Sequence, residues 1–223
     1  MKEYQKIPNF YKFDNETKSF ITEIYDPYVD YLKDLTWIVS EKVDGTNIRV
    51  HYDGHTVEWS GRTDKSNLPK EVEELLKNTF GDSEIIFEQL FGDKDVVLFM
   101  ECYGGKIQGG LYGGEERLIG FDVMVNGFYL DKTVIAEIFG KFGVKCVNFW
   151  EVHGLNNVVN SLALSHGSPE QYISPLCCKG TTIIEGFVCV PKLRIYDNQG
   201  NRIIVKIKRG TIEKTEKTKY GKS

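Results

Sequence analysis

The chain has no apolar run approaching the roughly 20 residues that span a bilayer, so nothing in it reads as a transmembrane helix. Its start, Met1-Lys2-Glu3-Tyr4-Gln5-Lys6, lacks the apolar core of a secretion signal. Cysteine pairing is missing too. The five cysteines (Cys102, Cys146, Cys177, Cys178 and Cys189) are odd in number and contain no C-x-x-C pair. Adjacent Cys177-Cys178 is a poor disulfide and not a zinc signature. These absences set aside a disulfide framework and a zinc ribbon, and predict reduced, mostly buried thiols in an intracellular protein. Internal repeats are absent, and only the Lys/Thr/Glu-rich end is of low complexity.

What is present suits a folded enzyme-sized domain. The 223 residues are 41% hydrophobic and 13% aromatic, enough for one domain with a real core. A net charge of −4 argues against a general nucleic-acid coat. Its distribution is uneven, because Arg202 to Ser223 holds eight basic residues and only Glu213 and Glu216 as acids. Such a segment suits an approach to phosphates. Beyond Gly210 a solvated tail is the simpler reading.

Periodicity places the elements. Thr36-Trp37-Ile38-Val39 and Ile48-Arg49-Val50-His51-Tyr52 read as strands, joined by Asp44-Gly45 as a hairpin turn with Lys42 at its mouth. Lys-x-Asp-Gly alone equally suits a surface lysine beside a hairpin. Thr56–Trp59 predicts a third strand leading into Ser60-Gly61-Arg62-Thr63. Pro69, with acids after it and apolar residues at helical spacing, starts a helix. Residues 95–103 and 117–125 read as buried strands, followed by an Asn126-Gly127 turn and Phe128-Tyr129-Leu130. Asp131 caps a helix ending at Gly143, and 155–164 predicts another short helix. Residues 181–191 read as a strand with Glu185-Gly186 inside it. Residues 192–196 and 202–208 read as a closing hairpin. The sum is an α+β domain of antiparallel sheets flanked by helices.

The informative feature is charge inside apolar strands. Glu101 follows Val96 to Met100, and Glu185 sits in Thr-Ile-Ile-Glu-Gly-Phe-Val. Lys206 and Lys208 alternate with Val205 and Ile207, so they share a strand face. One such residue is ordinarily an edge residue pointing outward. Four of them, with Lys42 and Arg62, need partners or a ligand. Three lysines, one arginine and two carboxylates suit a nucleoside triphosphate and a divalent metal.

These residues stand in motifs that resemble the covalent nucleotidyltransferases, which include ATP-dependent DNA and RNA ligases and mRNA capping enzymes. Lys42-Val43-Asp44-Gly45-Thr46-Asn47 resembles the KxDG motif, and Ser60-Gly61-Arg62-Thr63 the motif with the next essential arginine. Phe99-Met100-Glu101-Cys102-Tyr103-Gly104 and Leu118-Ile119-Gly120-Phe121-Asp122-Val123 follow, then Glu185-Gly186-Phe187-Val188 (EGxV) and Val205-Lys206-Ile207-Lys208 (KxK). Each is weak alone, but six in the family's order over residues 37–209 are specific. Asn47, where DNA ligases usually carry arginine, resembles RNA ligases of the RNA ligase 2 type.

The resemblance implies an ATP-grasp-like adenylation domain over residues 1–210, with 211–223 as a basic tail and no separate C-terminal domain. It implies an ATP-dependent RNA ligase using Mg²⁺ or Mn²⁺ to join RNA 5′-phosphate and 3′-hydroxyl ends, with no role for a membrane. By the same resemblance Lys42 is the nucleophile that becomes lysyl-AMP, and Glu101 binds the ribose. Phe121 stacks on adenine, although core packing explains an aromatic there equally well. Glu185 helps hold the metal, Lys206 and Lys208 contact phosphates, and Asn47 and Arg62 orient phosphates and RNA ends. Glu41 contributes backbone contacts to the adenine. The attacking amine must be neutral, and the neighbouring lysines and a metal favour that form. His153 lies outside every motif and reads as structural. Little follows the Lys206/Lys208 strand, so a separate RNA-binding partner or domain is expected. A DNA ligase or capping enzyme on the same scaffold, or a catalytically silent RNA-end-binding module, are the rival readings.

Overall fold

A computed structural model describes residues 1–164 and 172–211. In chain order the elements begin with β1 (Tyr11–Asp14), β2 (Ser19–Ile24), α1 (Pro27–Leu32), β3 (Thr36–Glu41), β4 (Thr46–Tyr52) and β5 (Val57–Ser60). Next come α2 (Lys70–Phe80), α3 (Glu84–Phe91), β6 (Val96–Tyr103), β7 (Arg117–Val125), β8 (Phe128–Tyr129) and α4 (Lys132–Lys141). The order closes with β9 (Lys145–Cys146), β10 (Phe149–His153), α5 (Leu155–Leu164), β11 (Gly186–Pro191) and β12 (Val205–Lys208). This is the α+β architecture of antiparallel sheets and flanking helices that the patterning predicts. None of the described helices is long and apolar enough to cross a membrane.

The chain folds as two compact units. The first comprises Met1–Tyr4, Asp44–Val147 and Leu176–Lys179, and the second Gln5–Val43, Asn148–Pro175 and the chain from Gly180 onward. In the first unit the sheet runs β5-β4-β6-β7-β8, with β9 pairing in parallel to β7. β6 lies at its centre because Val96 to Met100 are all fully buried, as expected of a strand covered on both faces. α2 presents Val72, Leu76 and Phe80 at four-residue spacing to the interior, with Glu71 and Glu73 in its first turn. α3 adds Phe87, whose ring packs on those of Tyr52 and Phe142. The N-terminal cap of α4 is Asp131, whose carboxylate accepts from the Thr133 backbone N–H at 3.0 Å.

The second unit is built on the sheet β10-β3-β11-β12, with β1 and β2 forming a separate two-stranded ribbon. α5 buries Leu155, Val158, Val159 and Leu162, the i, i+3, i+4, i+7 stripe of an amphipathic helix, against Trp37, Val39, Cys189 and Val205. Residues 8–10 run beside β12, where Phe10 N–H donates to the Lys206 carbonyl and Lys206 N–H to that of Pro8, both at 2.9 Å.

Several expectations need correction. Asp44-Gly45 does not close a hairpin, since β3 pairs with β10 and β11 whereas β4 pairs with β5 and β6. Gly45 is there for close approach instead of turn conformation. A Cβ on it would lie 2.3 Å from the Cys102 carbonyl oxygen, a distance no side chain survives. The strand predicted over 181–191 begins only at Gly186, leaving Glu185 just before β11. The closing hairpin reduces to a single Tyr196–Arg202 bridge, and β12 pairs with β11. Of the cysteines, all free, only Cys102 and Cys189 are buried, and Cys178 is exposed. The basic tail beyond Thr211 lies outside the described residues.

Candidate active site

In the second unit, four of the residues singled out by sequence come together. Lys42 follows the last residue of β3, and its backbone N–H donates to the Gly186 carbonyl at 2.9 Å. Its ammonium donates to Glu185 Oε2 at 2.5 Å. The other oxygen of Glu185 is paired with the Lys208 ammonium. The Arg209 backbone N–H donates to the Glu185 carbonyl at 3.0 Å, so the chain just after β12 also fixes this residue. Lys206 stands two residues before Lys208 on the same strand face. Burial holds its proton affinity below that of an ordinary lysine, and the positive charges of Lys208 and Lys42 push in the same direction. Two ammonium groups thus pair with one carboxylate, and the third, on Lys206, is near enough to feel all of these charges. The excess of positive charge suits an anionic ligand, and the side chains of Lys42 and Glu185 are only 24% and 18% exposed, where screening is incomplete.

Glu41 precedes this cluster. Burial raises its carboxyl above the usual range, opposed by a hydrogen bond from Ser174. One of its oxygens, Oε1, is buried and has no hydrogen-bond partner among the described residues. A half-buried acceptor left unpaired costs stability and is a common mark of a binding position. His153, at the end of β10, is exposed and shares a 3.5 Å hydrogen bond with Thr36.

The first unit holds the remaining candidates. Asn47 on β4 and Glu101 on β6 are direct cross-strand partners, so their side chains share one face. Asn47 Oδ1 is buried without a hydrogen-bond partner among the described residues. Asp44-Gly45 is tied down from two sides, as Asp44 N–H donates to the Tyr112 hydroxyl at 3.1 Å and Gln108 Nε2 to the Gly45 carbonyl at 3.0 Å. Arg62 and Phe121 belong to other elements of the same unit. Arg62 is exposed on the loop after β5. Phe121 is half-buried on β7, where the register passes from Phe99 opposite Asp122 to Met100 opposite Gly120. Phe121 is therefore the extra residue of a β-bulge.

Sequence reasoning passed over Arg49. It is fully buried in β4 and reaches out to the Arg62 loop, its Nε donating to the Gly61 carbonyl at 2.7 Å and its Nη2 to Asp64 at 2.8 Å. Its Nη1 donates to the carbonyls of Met1 and Lys2, both at 3.2 Å. Like Glu101, Arg49 is a charge inside an apolar strand, flanked by Ile48 and Val50. Among the described residues no three His, Cys, Asp or Glu side chains gather as a metal centre. A single carboxylate among lysines fits a divalent ion that takes most of its ligands from phosphate oxygens and water.

The chain was compared with known proteins. No curated protein matches it. Among solved structures, an apo mutant of Naegleria gruberi RNA ligase superposes with a TM-score of 0.59 at 17% identity, covering 85% of this chain and 54% of that one. A mutant of the same ligase with AMP and Mn gives 0.60 at 16%, covering 85% and 55%. Another with ATP and Mn gives 0.60 at 16%, covering 95% and 61%. At these identities the likeness is one of fold, and the chain spans little more than half the length of those ligases. The family model described as RNA ligase matches residues 35–208. Reaching from β3 to the last residue of β12, that match spans most of the chain, and the chain belongs to the RNA ligase family.

Proposed function

We propose that this chain uses ATP to join an RNA 3′-hydroxyl to an RNA 5′-phosphate through a lysyl-AMP intermediate on Lys42. The observation that carries the reading is the Lys42 ammonium on Glu185 inside a lysine cluster completed by Lys208 and Lys206. The presence of ATP, AMP and Mn in the Naegleria ligase structures supports ATP as substrate and a divalent metal as helper.

At rest Lys42 is an ammonium held by a carboxylate, and an ammonium has no lone pair. Attack therefore requires Lys42 to lose its proton and leave Glu185. The amine then attacks the α-phosphorus, a P–N bond forms, and pyrophosphate departs. Lys206 and Lys208 hold phosphate oxygens through this step, neutralising charge that builds on them. Freed of Lys42, Glu185 is the carboxylate that holds the metal, which when bound draws charge from the phosphates. In the first unit, Glu101 takes the ribose hydroxyls and Phe121 the adenine ring. Glu41 contributes to adenine recognition. Next, a phosphate oxygen of the RNA 5′ end attacks the AMP phosphorus and displaces the Lys42 amine. Finally the 3′-hydroxyl attacks the adenylylated end and releases AMP. Asn47 and Arg62 orient the reacting phosphates, and a further domain or a partner supplies additional RNA contacts.

Incubation with labelled ATP or GTP and Mg²⁺ tests the first step. Label from ATP, retained through denaturation and lost in Lys42→Ala, supports the reading. Label from GTP alone would move the chain to capping chemistry. RNA binding without covalent AMP would make it an end-binding module. Sealing of nicked DNA in preference to nicked RNA would overturn the choice of acceptor.

A further inference from the structure

The bulge at Phe121 is held by a polar network inside the first unit. A bulged residue loses its ladder partner, and the added local twist redirects its side chain. Here the Phe121 carbonyl accepts instead from the Lys132 ammonium at 2.7 Å. The same ammonium donates to Asp122 Oδ1 at 2.6 Å, and the Tyr4 hydroxyl donates to Asp122 Oδ2 at 2.7 Å. The Asp122 carboxylate is 0% exposed. Burying a carboxylate is unfavourable unless each oxygen is matched, as both are here. Tyr4 also packs its ring edge-on against Phe121, with centroids 5.1 Å apart, and against Phe99 at 4.9 Å. Lys132 is the first residue of α4, so the capped helix start fixes where its ammonium stands.

Sheet curvature alone needs a bulge but no buried ion pair beneath it. The network grips the Phe121 carbonyl and the side chain of the next residue, and leaves the Phe121 ring half-buried. A platform already held in place loses little freedom when a base stacks on it. We propose that Lys132 and Tyr4 are positioning residues, which act through Asp122 and the Phe121 carbonyl to set the Phe121 ring for stacking on adenine. The inference rests on the reading of Phe121 as the adenine platform given above.

The test uses the full chain, cleared of bound AMP with pyrophosphate and Mg²⁺, and measures equilibrium binding of AMP and of inorganic tripolyphosphate, which has no base. Phe121→Ala is expected to weaken AMP about tenfold, the scale of one lost base stack. Lys132→Met is expected to weaken AMP to a similar extent and to leave tripolyphosphate binding unchanged. Lys132→Arg restores much of the loss, and the Phe121→Ala/Lys132→Met double variant binds AMP no more weakly than Phe121→Ala alone. Unchanged AMP binding in Lys132→Met, losses that add in the double variant, or a parallel loss of tripolyphosphate each overturn the inference while leaving the platform intact. Unchanged AMP binding in Phe121→Ala would remove the platform itself. If Lys132→Met does not fold, Tyr4→Phe, which removes one oxygen and keeps the ring, carries the same comparison, with a loss of about threefold expected for one hydrogen bond.

Discussion

The backbone of Lys42 is bonded to the carbonyl of Gly186, the residue directly after the glutamate that holds its side chain. Main chain and side chain are thus held against the same two-residue stretch, the first by a backbone bond and the second by an ion pair that the side chain can leave on its own. Lys42→Arg separates chemistry from structure. An arginine keeps its charge at any ordinary pH and can retain the ion pair to Glu185. The variant should fold with near-native stability and acquire no AMP, as read by intact mass after incubation with ATP.

Removing the carboxylate should act differently. Glu185→Gln leaves the ammonium groups of Lys42 and Lys208 facing each other without their shared counter-ion. Adenylylation is expected to fall by about 10²-fold or more, measured as the initial rate of label incorporation. A rate within a few-fold of the native enzyme would show that the carboxylate is dispensable to the cluster.

Arg49 carries a stability prediction. Arg49→Met keeps the bulk of the side chain but leaves the carbonyl of the buried Gly61 without its donor, while the exposed Asp64 turns to water. A loss of about 1–3 kcal/mol is expected on denaturant unfolding, the range for a buried group left without its partner. Because the loop it holds carries Arg62, nucleotide-dependent labelling should drop further than stability alone explains.

His51 makes folding sensitive to pH. Burial lowers the proton affinity of its imidazole, but hydrogen bonds to Asp95 and Glu58 outweigh that and raise it above its ordinary 6.5. A raised value in the folded state means stabilisation that is complete below about 6.5 and disappears as pH climbs through the folded-state value. Between pH 6 and 8 the native protein should therefore lose stability relative to His51→Gln. Parallel pH profiles for the two proteins would contradict this.

Glu41 offers the opposite trade. Its carboxyl is raised by burial, so ionising it at neutral pH opposes folding, and that cost disappears as pH falls through the folded-state value. Glu41→Gln should be more stable than the native protein at pH 7 and no different below about pH 4. Weaker binding of AMP in the same variant would place this strain in the service of the ligand.

The strands around β6 and β7 were legible because burial on both faces leaves a continuous apolar run, and the Leu155–Leu164 helix because its stripe repeats at helical spacing. The motif order located Lys42, Glu185, Lys206 and Lys208, and charge inside an apolar strand was the physical clue to them. Asp44-Gly45 misled for a physical reason. A glycine needed for turn conformation and one needed for close approach look alike in sequence, and only the Cys102 carbonyl at 2.3 Å separates them. The Lys132–Asp122–Tyr4 network was illegible because it joins residues 118 apart, Tyr4 and Asp122, through a bulge that no local pattern announces.

Lys42 and Glu185 are separated by 143 residues, and β3 finds its hydrogen-bonded neighbours only in β10 and β11. During synthesis the strand that leads into Lys42 emerges early and waits, because closing so long a loop is entropically costly and slow. Asp44–Val147, by contrast, forms the bulk of its own unit and can condense as it leaves the ribosome. The ion pairs of Lys42 and Lys208 with Glu185 thus cannot both close until translation has passed β12, which makes this cluster one of the last features of the fold to assemble.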